Sequence, residues 1–563
     1  MIIMTISEYV LVRLNELNVN HLFGIPGDYD LPFFDEMIDK KTGVKHINSR
    51  NELNATYAAD GYAKLNGFGA AAVTFGVGSL STTNALAGAY ADNTPIVVIC
   101  GAPNRNTSKT LGRKQLHHLI DQDLDTSLKV MSNFTVGSIR LENSETAAEE
   151  IDQLLLKSYF QKKPVYLEIP YDLQKAEVAA PDKPLDLNKN ISNPQMLSEA
   201  VEAIKKEIEK AKSISSLVGP VLDRNQQILN ADKIIRHLNA CVGTVFTGKI
   251  SHFEDHPNSV GLYQGKVSEE YTYKMIEGAD LVITFGNPYT EFDSGVFTDD
   301  IGTNQASIHI QNDHVIINDE FYMGVYLKDI LPILAEEVQS LAPKSLSIDP
   351  TQRKFSFELK DQFTPTDNAI TIDRLFVQFA NFMESGDTLY GDTGGYINLS
   401  QAEFKKDISI MGCGNWGSLG AGFGMSVGGS FAASERKTGK VVSITGDGAF
   451  LMSAQDLSTL IEHKQDITLI ILDNSGYGAE RQIYPGKERS YNDFLPWNYE
   501  KLAPALGGVE GVTCHSYVAN TEKDIDKIFT EVIENKGVNV VRIMIDPWDS
   551  ASFNVRFSEA LRH

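Results

Sequence analysis

The chain has 563 residues, 42% of them hydrophobic and 22% charged, so it is too long for one core and reads as roughly three or four globular domains. Its 50 Lys and Arg stand against 74 Asp and Glu, a net charge of −24 with no basic stripe, which argues against a nucleic-acid partner. Cys100, Cys241, Cys413 and Cys514 are scattered and form no CxxC pair, so buried thiols are expected rather than a disulfide framework or a zinc site.

The opening MIIMTISEYVLVRL has no cationic flank or cleavage site, and no apolar run is long enough to span a bilayer. No membrane partner and a cytoplasmic location are the expectations. Thr5 to Asn18 reads as a helix with a Thr5/Glu8 capping box and Val10, Leu14 and Leu17 on one face. His21 to Gly24 reads as a strand ending in the tight turn Ile25-Pro26-Gly27-Asp28, a place where side chains reach a ligand crevice. Strand runs AAAVTFGVG, PIVVICGAP and PVYLEIP then alternate with helical stretches, the pattern of a doubly wound parallel sheet.

Ala180 to Pro194 is polar and proline-punctuated, as a linker would be. A second α/β unit follows, with strands ISSLVG, GTVFTG, ADLVITFG and ASIHIQ and a helix over Ala231 to Leu238. A second linker, Ala342 to Thr351, leads to a third unit with strands DTLYGD, KVVSITG, ITLIILD and VNVVRIMI. The expected fold is α/β with three parallel-sheet domains, over residues 1–180, 190–342 and 352–563. No short-period repeat interrupts it.

Lys440 to Tyr477 is the stretch with most chemistry. Two apolar strands end in the glycine-rich turns Gly446-Asp447-Gly448 and Asp473-Asn474-Ser475-Gly476, so Asp447 and Asn474 sit at neighbouring strand ends. A carboxylate, an amide oxygen and a main-chain carbonyl such as that of Gly476, among glycines that admit phosphate, suit Mg²⁺ and a diphosphate.

GDG followed by DN resembles the thiamine diphosphate fingerprint, with Asp473 where an asparagine is usual and Asn474 keeping the metal position. FGIPGDYDLPFFD, RNELNATYAADGYA, TFGVGSLS, LHHL, WGSLG, GDGAF and GYGAERQI extend the resemblance over nearly the whole chain, to thiamine diphosphate-dependent 2-keto acid decarboxylases of the pyruvate and indolepyruvate decarboxylase group. The resemblance implies two cofactor-binding domains flanking a middle domain, non-oxidative decarboxylation of a small-molecule 2-keto acid to an aldehyde and CO2 through an ylid and an enamine, and thiamine diphosphate with Mg²⁺ as cofactors. It implies at least a homodimer, a homotetramer being usual for relatives, with Glu52 and Asp447 serving one cofactor across a subunit interface.

By itself Glu52 reads as a charge at a helix start; within NELNA it resembles the carboxylate that hydrogen-bonds the aminopyrimidine ring and promotes its imino tautomer. Leu419 matches the aliphatic wedge that bends the cofactor, and the Gly417 carbonyl its exocyclic-amine acceptor. Thr393, Gly446, Gly448 and Gly476 join the expected cofactor contacts, and Asp447, Asn474 and Gly476 the expected metal ligands. Asp28, His117, His118 and Glu480 resemble the proton-handling set. The histidine pair separates this group from acetohydroxyacid synthases and benzoylformate decarboxylases.

Pyruvate-specific relatives read GYTIE where this chain reads Gly476-Tyr477-Gly478-Ala479-Glu480, so Ala479 opens the pocket, whereas Tyr396, in Asp392 to Ile397, fills space where relatives carry a smaller residue. Branched, longer or aromatic acids are expected to be preferred over pyruvate. Activated relatives carry a middle-domain cysteine; here the region reads Gly219 to Arg224 without one, which implies hyperbolic kinetics. The competing readings are pyruvate decarboxylase proper, a thiamine diphosphate carboligase and a non-catalytic cofactor-binding protein, the last opposed by the presence of both Glu52 and Glu480.

Overall fold

The computed structural model describes residues 2–109, 111, 113–345, 363–399, 402–404, 407–486 and 488–562. Most of the second expected linker, Ala342 to Thr351, lies outside them. The chain forms two compact units, one of Met1–Lys189, Trp416–Lys437 and Ser453–Gln465, the other of Asn190–Asn415, Thr438–Met452 and Asp466–His563.

The first unit holds a six-stranded parallel sheet in the order Lys45–Asn48, His21–Gly24, Gly69–Thr74, Ile96–Ala102, Val165–Pro170, Gly137–Arg140. Gly69–Thr74, Ile96–Ala102 and Val165–Pro170 are buried throughout, as expected of strands covered on both faces. The first helix is Ile6–Glu16, with Thr5 as its N-cap accepting from the Glu8 backbone N–H and with Val10, Leu14 and Leu17 buried. The capping box is only half made, because the Glu8 carboxylate lies against Lys40 at 3.4 Å and the Thr5 hydroxyl donates to Glu36.

Helix Glu52–Asn66 crosses helix Ala421–Arg436 at backbone contact, since a Cβ on Gly61 would lie 1.9 Å from the Met425 carbonyl oxygen and one on Gly428 1.8 Å from that of Ala58. Only glycine permits that approach. The segment that follows WGSL is thereby docked on the helix that begins with Glu52.

The second unit holds two sheets. One runs Ser259–Tyr263, Cys241–Val245, Ile214–Val218, Leu281–Phe285, Ala306–Ile310 in parallel and then turns antiparallel through His314–Ile317 and Glu320–Met323. That antiparallel edge departs from the all-parallel expectation: short connections of a few residues permit hairpins, whereas a parallel crossover needs about a dozen. The other is parallel in the order Ser409–Gly412, Thr388–Gly391, Val441–Gly446, Ile467–Asp473, Val538–Met544, Cys514–Ala519. Pro194 opens a helix to Lys210, with Asn193 capping it, so the first expected linker ends one residue earlier. Helix Ser552–Leu561 buries Phe553 and Phe557 among Phe246 and Phe292. All four cysteines are buried, and no helix among the described residues is long and apolar enough to cross a membrane.

Candidate active site

In the second unit, Val441–Gly446 pairs in register with Ile467–Asp473, so both turns leave the sheet side by side. Asp447, 1% exposed, accepts from the Gly448 N–H at 2.9 Å on Oδ1 and from the Gly476 N–H at 3.1 Å on Oδ2. One end of the Asn474 carboxamide lies 3.3 Å from Asp447 Oδ1 and 2.7 Å from the Gly476 carbonyl oxygen. Its NH2 satisfies both acceptors when no cation is bound; a cation there would be met by its oxygen, completing a carboxylate, amide and carbonyl set. Burial, then the charge of Asp473, pushes the Asp447 carboxyl up to about 7. Gly476 adopts φ 151°, and a Cβ there would lie 2.1 Å from the Asn492 carbonyl oxygen.

Asp473, the departure from the fingerprint, is fully buried and paired with Arg542 through Nη2 at 2.6 Å and Nε at 2.7 Å. Arg542 also meets Glu500 at 3.1 Å, so the charge that replaces an amide arrives with its own counterion. Arg481, 5% exposed, donates to the Asn474 carbonyl at 3.0 Å, the Ser475 carbonyl at 3.1 Å and Asp493 at 2.7 Å. It locks the ligand turn to helix Gly478–Ile483, which carries half-buried Ala479 and exposed Glu480.

Thr393 begins the helix after strand Thr388–Gly391, and its buried Oγ1 has no hydrogen-bond partner. Gly446 and Gly394 have nothing within 4 Å of an added Cβ, so space remains beside them. Together these fit a polyanionic group laid over the strand ends. Tyr396, expected at the substrate, packs its ring against Phe246 in the apolar core.

In the first unit, Asp28 Oδ2 meets His117 Nε2 at 2.8 Å, and the Thr74 hydroxyl donates to Asp28 Oδ1 at 3.2 Å. The His117 and His118 rings stand 4.1 Å apart between centroids, and Tyr29 lies over His117 with its hydroxyl 3.5 Å from Nδ1. Gly76 has φ 71°, and a Cβ there would lie 2.2 Å from the His118 carbonyl oxygen, so glycine admits the histidine loop to the end of the third strand of the chain's first sheet. Asp28, His117 and His118 are the three expected proton-handling groups that the structure brings together.

Glu52 opens helix Glu52–Asn66, capped by Asn51, whose side chain accepts from the Asn54 N–H at 2.7 Å. Gly417 and Leu419 lie on an exposed turn, Leu419 37% accessible. Trp416 Nε1 donates to Asn84 Oδ1 at 2.8 Å, Asn84 Nδ2 to Ser418 Oγ at 2.8 Å, and Ser418 Oγ meets the Tyr57 hydroxyl at 2.7 Å. Tyr57 and Asn84 thus hold the turn that presents Leu419.

Sequence reasoning missed Asp30, Thr74, Tyr57, Asn84 and Arg481. Only Asp30 and Arg481 carry a local signal, as charges beside Asp28 and Glu480. Asp30 is 1% exposed, accepts from the Gly27 N–H at 2.6 Å, and is pushed up to about 7 by burial, with Asp28 and Glu52 adding to the rise.

The models of the thiamine pyrophosphate (that is, thiamine diphosphate) enzymes match this chain in three parts: the N-terminal TPP binding domain over residues 4–126, the central domain over 201–329 and the C-terminal TPP binding domain over 392–543. The alpha-keto-acid decarboxylase of Mycobacterium tuberculosis is 30% identical over 93% of this chain and 91% of its own length. Pyruvate decarboxylase isozyme 3 of Saccharomyces cerevisiae is 28% identical over 97% and 96%. The solved thiamine diphosphate-dependent 4-hydroxybenzoylformate decarboxylase of Rhodococcus jostii, 20% identical, superposes with a TM-score of 0.75 over 96% of this chain and 99% of that one, a likeness of fold. With the diphosphate-ready strand ends and the Asp28–histidine cluster already in place, these matches show that the chain belongs to the thiamine diphosphate-dependent 2-keto acid decarboxylases, which are carboxy-lyases.

Proposed function

We propose that this 2-keto acid decarboxylase prefers branched, longer or aromatic acids to pyruvate. Ala479 carries the reading: it directly precedes Glu480 on the helix that Arg481 fixes to the Asn474 turn. An alanine in place of isoleucine leaves room for three carbons, and at about 0.8 kcal/mol per buried methylene that favours a larger acid by about 2.4 kcal/mol, roughly 50-fold. The test is kcat/KM for pyruvate, 2-ketoisovalerate, 2-ketohexanoate and phenylpyruvate in the parent and in Ala479→Ile. The expected outcome is a parent optimum above pyruvate that moves toward it in the variant. A clear pyruvate optimum in the parent would mark a pyruvate decarboxylase proper and end the idea, and a dominant ligated product would mark a carboligase.

Thiamine diphosphate, when bound, would supply a nucleophilic carbon for the keto carbonyl and, in its thiazolium ring, an acceptor for the electron pair released as CO2 departs. Glu52 would hold its aminopyrimidine, the Gly417 carbonyl its exocyclic amine, and Leu419 its bend. The Asp447, Asn474 and Gly476 oxygens would hold magnesium, with Thr393, Gly446 and Gly448 against the diphosphate. His117, in contact with Asp28, keeps a proton on the Nε2–Oδ2 axis for delivery to the departing product, with His118 and Glu480 as the other proton carriers. Two copies of the chain complete each site, Glu52 coming from one and Asp447 from the other.

A further inference from the structure

His117 and His118 lie in the connection between strand Ile96–Ala102 and helix Thr126–Met131, which begins with the 3-10 turn Arg105–Lys109 and whose residues 113–125 are exposed or half-buried. Its backbone is costly in isolation, because His118, Asp121 and Gln122 all adopt left-handed φ, of 62°, 50° and 58°. Non-glycine residues in that region give up about 1–3 kcal/mol each, so the conformation persists only where the surroundings over-determine it.

Both ends of the loop are fastened at or just beyond one pair of neighbouring strands, Gly137–Arg140 and Val165–Pro170. At the start, Arg105 donates to Asp172 from N at 3.0 Å and from Nε at 2.7 Å, and to the Glu142 carbonyl at 2.8 Å. At the end, Arg140 donates to the Leu124 carbonyl and meets Asp125 at 2.8 Å. Arg140 is in turn held through Nε by Glu168 at 2.7 Å, and the other Glu168 oxygen accepts from the Tyr166 hydroxyl at 2.9 Å. Glu168 is fully buried in strand Val165–Pro170, beside strand Gly137–Arg140. Within the loop, the Gln122 side chain accepts from the Leu116 N–H at 2.8 Å, next to the histidines.

We infer that Arg140 and Glu168 are positioning residues that set the histidine pair against Asp28. The buried carboxylate orients the guanidinium fork through Nε, and the fork's two outer nitrogens fix the loop's end in a planar geometry that a lysine ammonium does not reproduce. A buried ion pair is weak evidence for stability alone, and here its outward face is turned wholly to the loop. The inference rests on the proton-handling assignment of His117 and His118. A slip of about 1 Å at such groups can lower a rate by about 100-fold, so loosened anchorage acts on turnover before binding.

Two variants test this without leaving a buried charge unpaired: Arg140→Lys, which keeps a cation beside Glu168, and Asp125→Ala, which releases the loop's end at a site 58% exposed. With holoenzyme, three quantities are measured: tryptic cleavage after exposed Arg113 and Lys114, kcat and KM with a turned-over 2-keto acid, and the midpoint of thermal unfolding. Expected is faster cleavage in the loop and a fall in kcat of about tenfold at nearly constant KM, with the midpoint close to that of the parent. Unchanged cleavage and kcat, or losses that only track the midpoint, would overturn the inference. His117→Ala and His118→Ala run alongside: full kcat in both would strike down the histidine assignment, while the cleavage rates would still report on the anchor.

Discussion

Replacing Asp30 by Asn tests the electrostatics of the Asp28 turn. Asp30 is 1% exposed; its Oδ1 accepts from the Gly27 N–H at 2.6 Å and its Oδ2 has no partner. Burial first, then Asp28 and Glu52, raise the carboxyl to about 7, against about 3.9 in an unfolded chain. Because the folded-state value is the higher, the folded protein binds more protons between about pH 4 and pH 7, and its stability falls as pH rises through that window. Three units at about 1.4 kcal/mol each set a ceiling near 4 kcal/mol, and relaxation of the turn halves this to about 2 kcal/mol. Asparagine keeps the acceptor for Gly27 and has no proton to lose. The variant should therefore match the parent near pH 4.5 and exceed it at pH 8, by about 4–8 °C at about 2–4 °C per kcal/mol. Cofactor-free protein followed by near-ultraviolet circular dichroism at both pH values makes the comparison. A variant no more stable than the parent at pH 8 would show that Asp30 is not held neutral by its surroundings.

The remaining outcomes concern assembly and the third sheet. Glu52→Gln and Asp447→Asn proteins should each be inactive, yet when dissociated and reassociated together they should recover about a quarter of parental activity, since half of random dimers carry one intact site of two; no recovery would place both residues at a site within a single chain. Asp473→Asn leaves Glu500 as the carboxylate paired with Arg542 and should cost about 2–3 kcal/mol of stability, read as a lower unfolding midpoint, less than the full loss of a buried partner because Arg542 is 15% exposed. Asp473→Asn with Arg542→Gln should recover part of that loss, and a double variant as unstable as the sum of the singles would refute the pairing.

Strands built of Val, Ile and Ala runs, such as Gly69–Thr74 and Ile467–Asp473, were legible because a buried parallel strand needs an unbroken apolar stretch. Lys45–Asn48 and Gly137–Arg140 were not, for they lie at sheet edges and mix polar residues into four-residue runs. The edge hairpin of the middle sheet escaped for the same reason. Of the site, the sequence proposed the residues carried by compact motifs. It did not propose those acting across long separations: Thr74 meets Asp28 from 46 residues away, and Asn84 meets Trp416 from 332. Tyr396 is placed by packing. Gly391 and Gly412 leave a slot that its ring fills, with Cδ2 2.5 Å from where a Gly412 Cβ would stand, a fit set by residues outside its own helix.

Numbering each sheet's strands along the chain, both six-stranded sheets have the order 2-1-3-4-6-5. In such a sheet the crevice opens beyond the carboxyl ends of strands 1 and 3, where successive connections leave in opposite directions. The first sheet ends strand 1 in the turn bearing Asp28 and strand 3 in Thr74 and Gly76, and strand 4 leads to His117 and His118. The other ends strand 1 in Asp392 and Thr393, strand 3 in Asp447, and strand 4 in Asn474. The same scaffold positions therefore carry opposite chemistry. Strand 3 of the first sheet ends in a hydroxyl and a glycine that seat a proton-handling loop, whereas strand 3 of the other ends in a buried carboxylate suited to a cation. The difference follows from what each end must offer: exposed groups that exchange protons in one, and buried oxygens with open glycine space for an anion in the other.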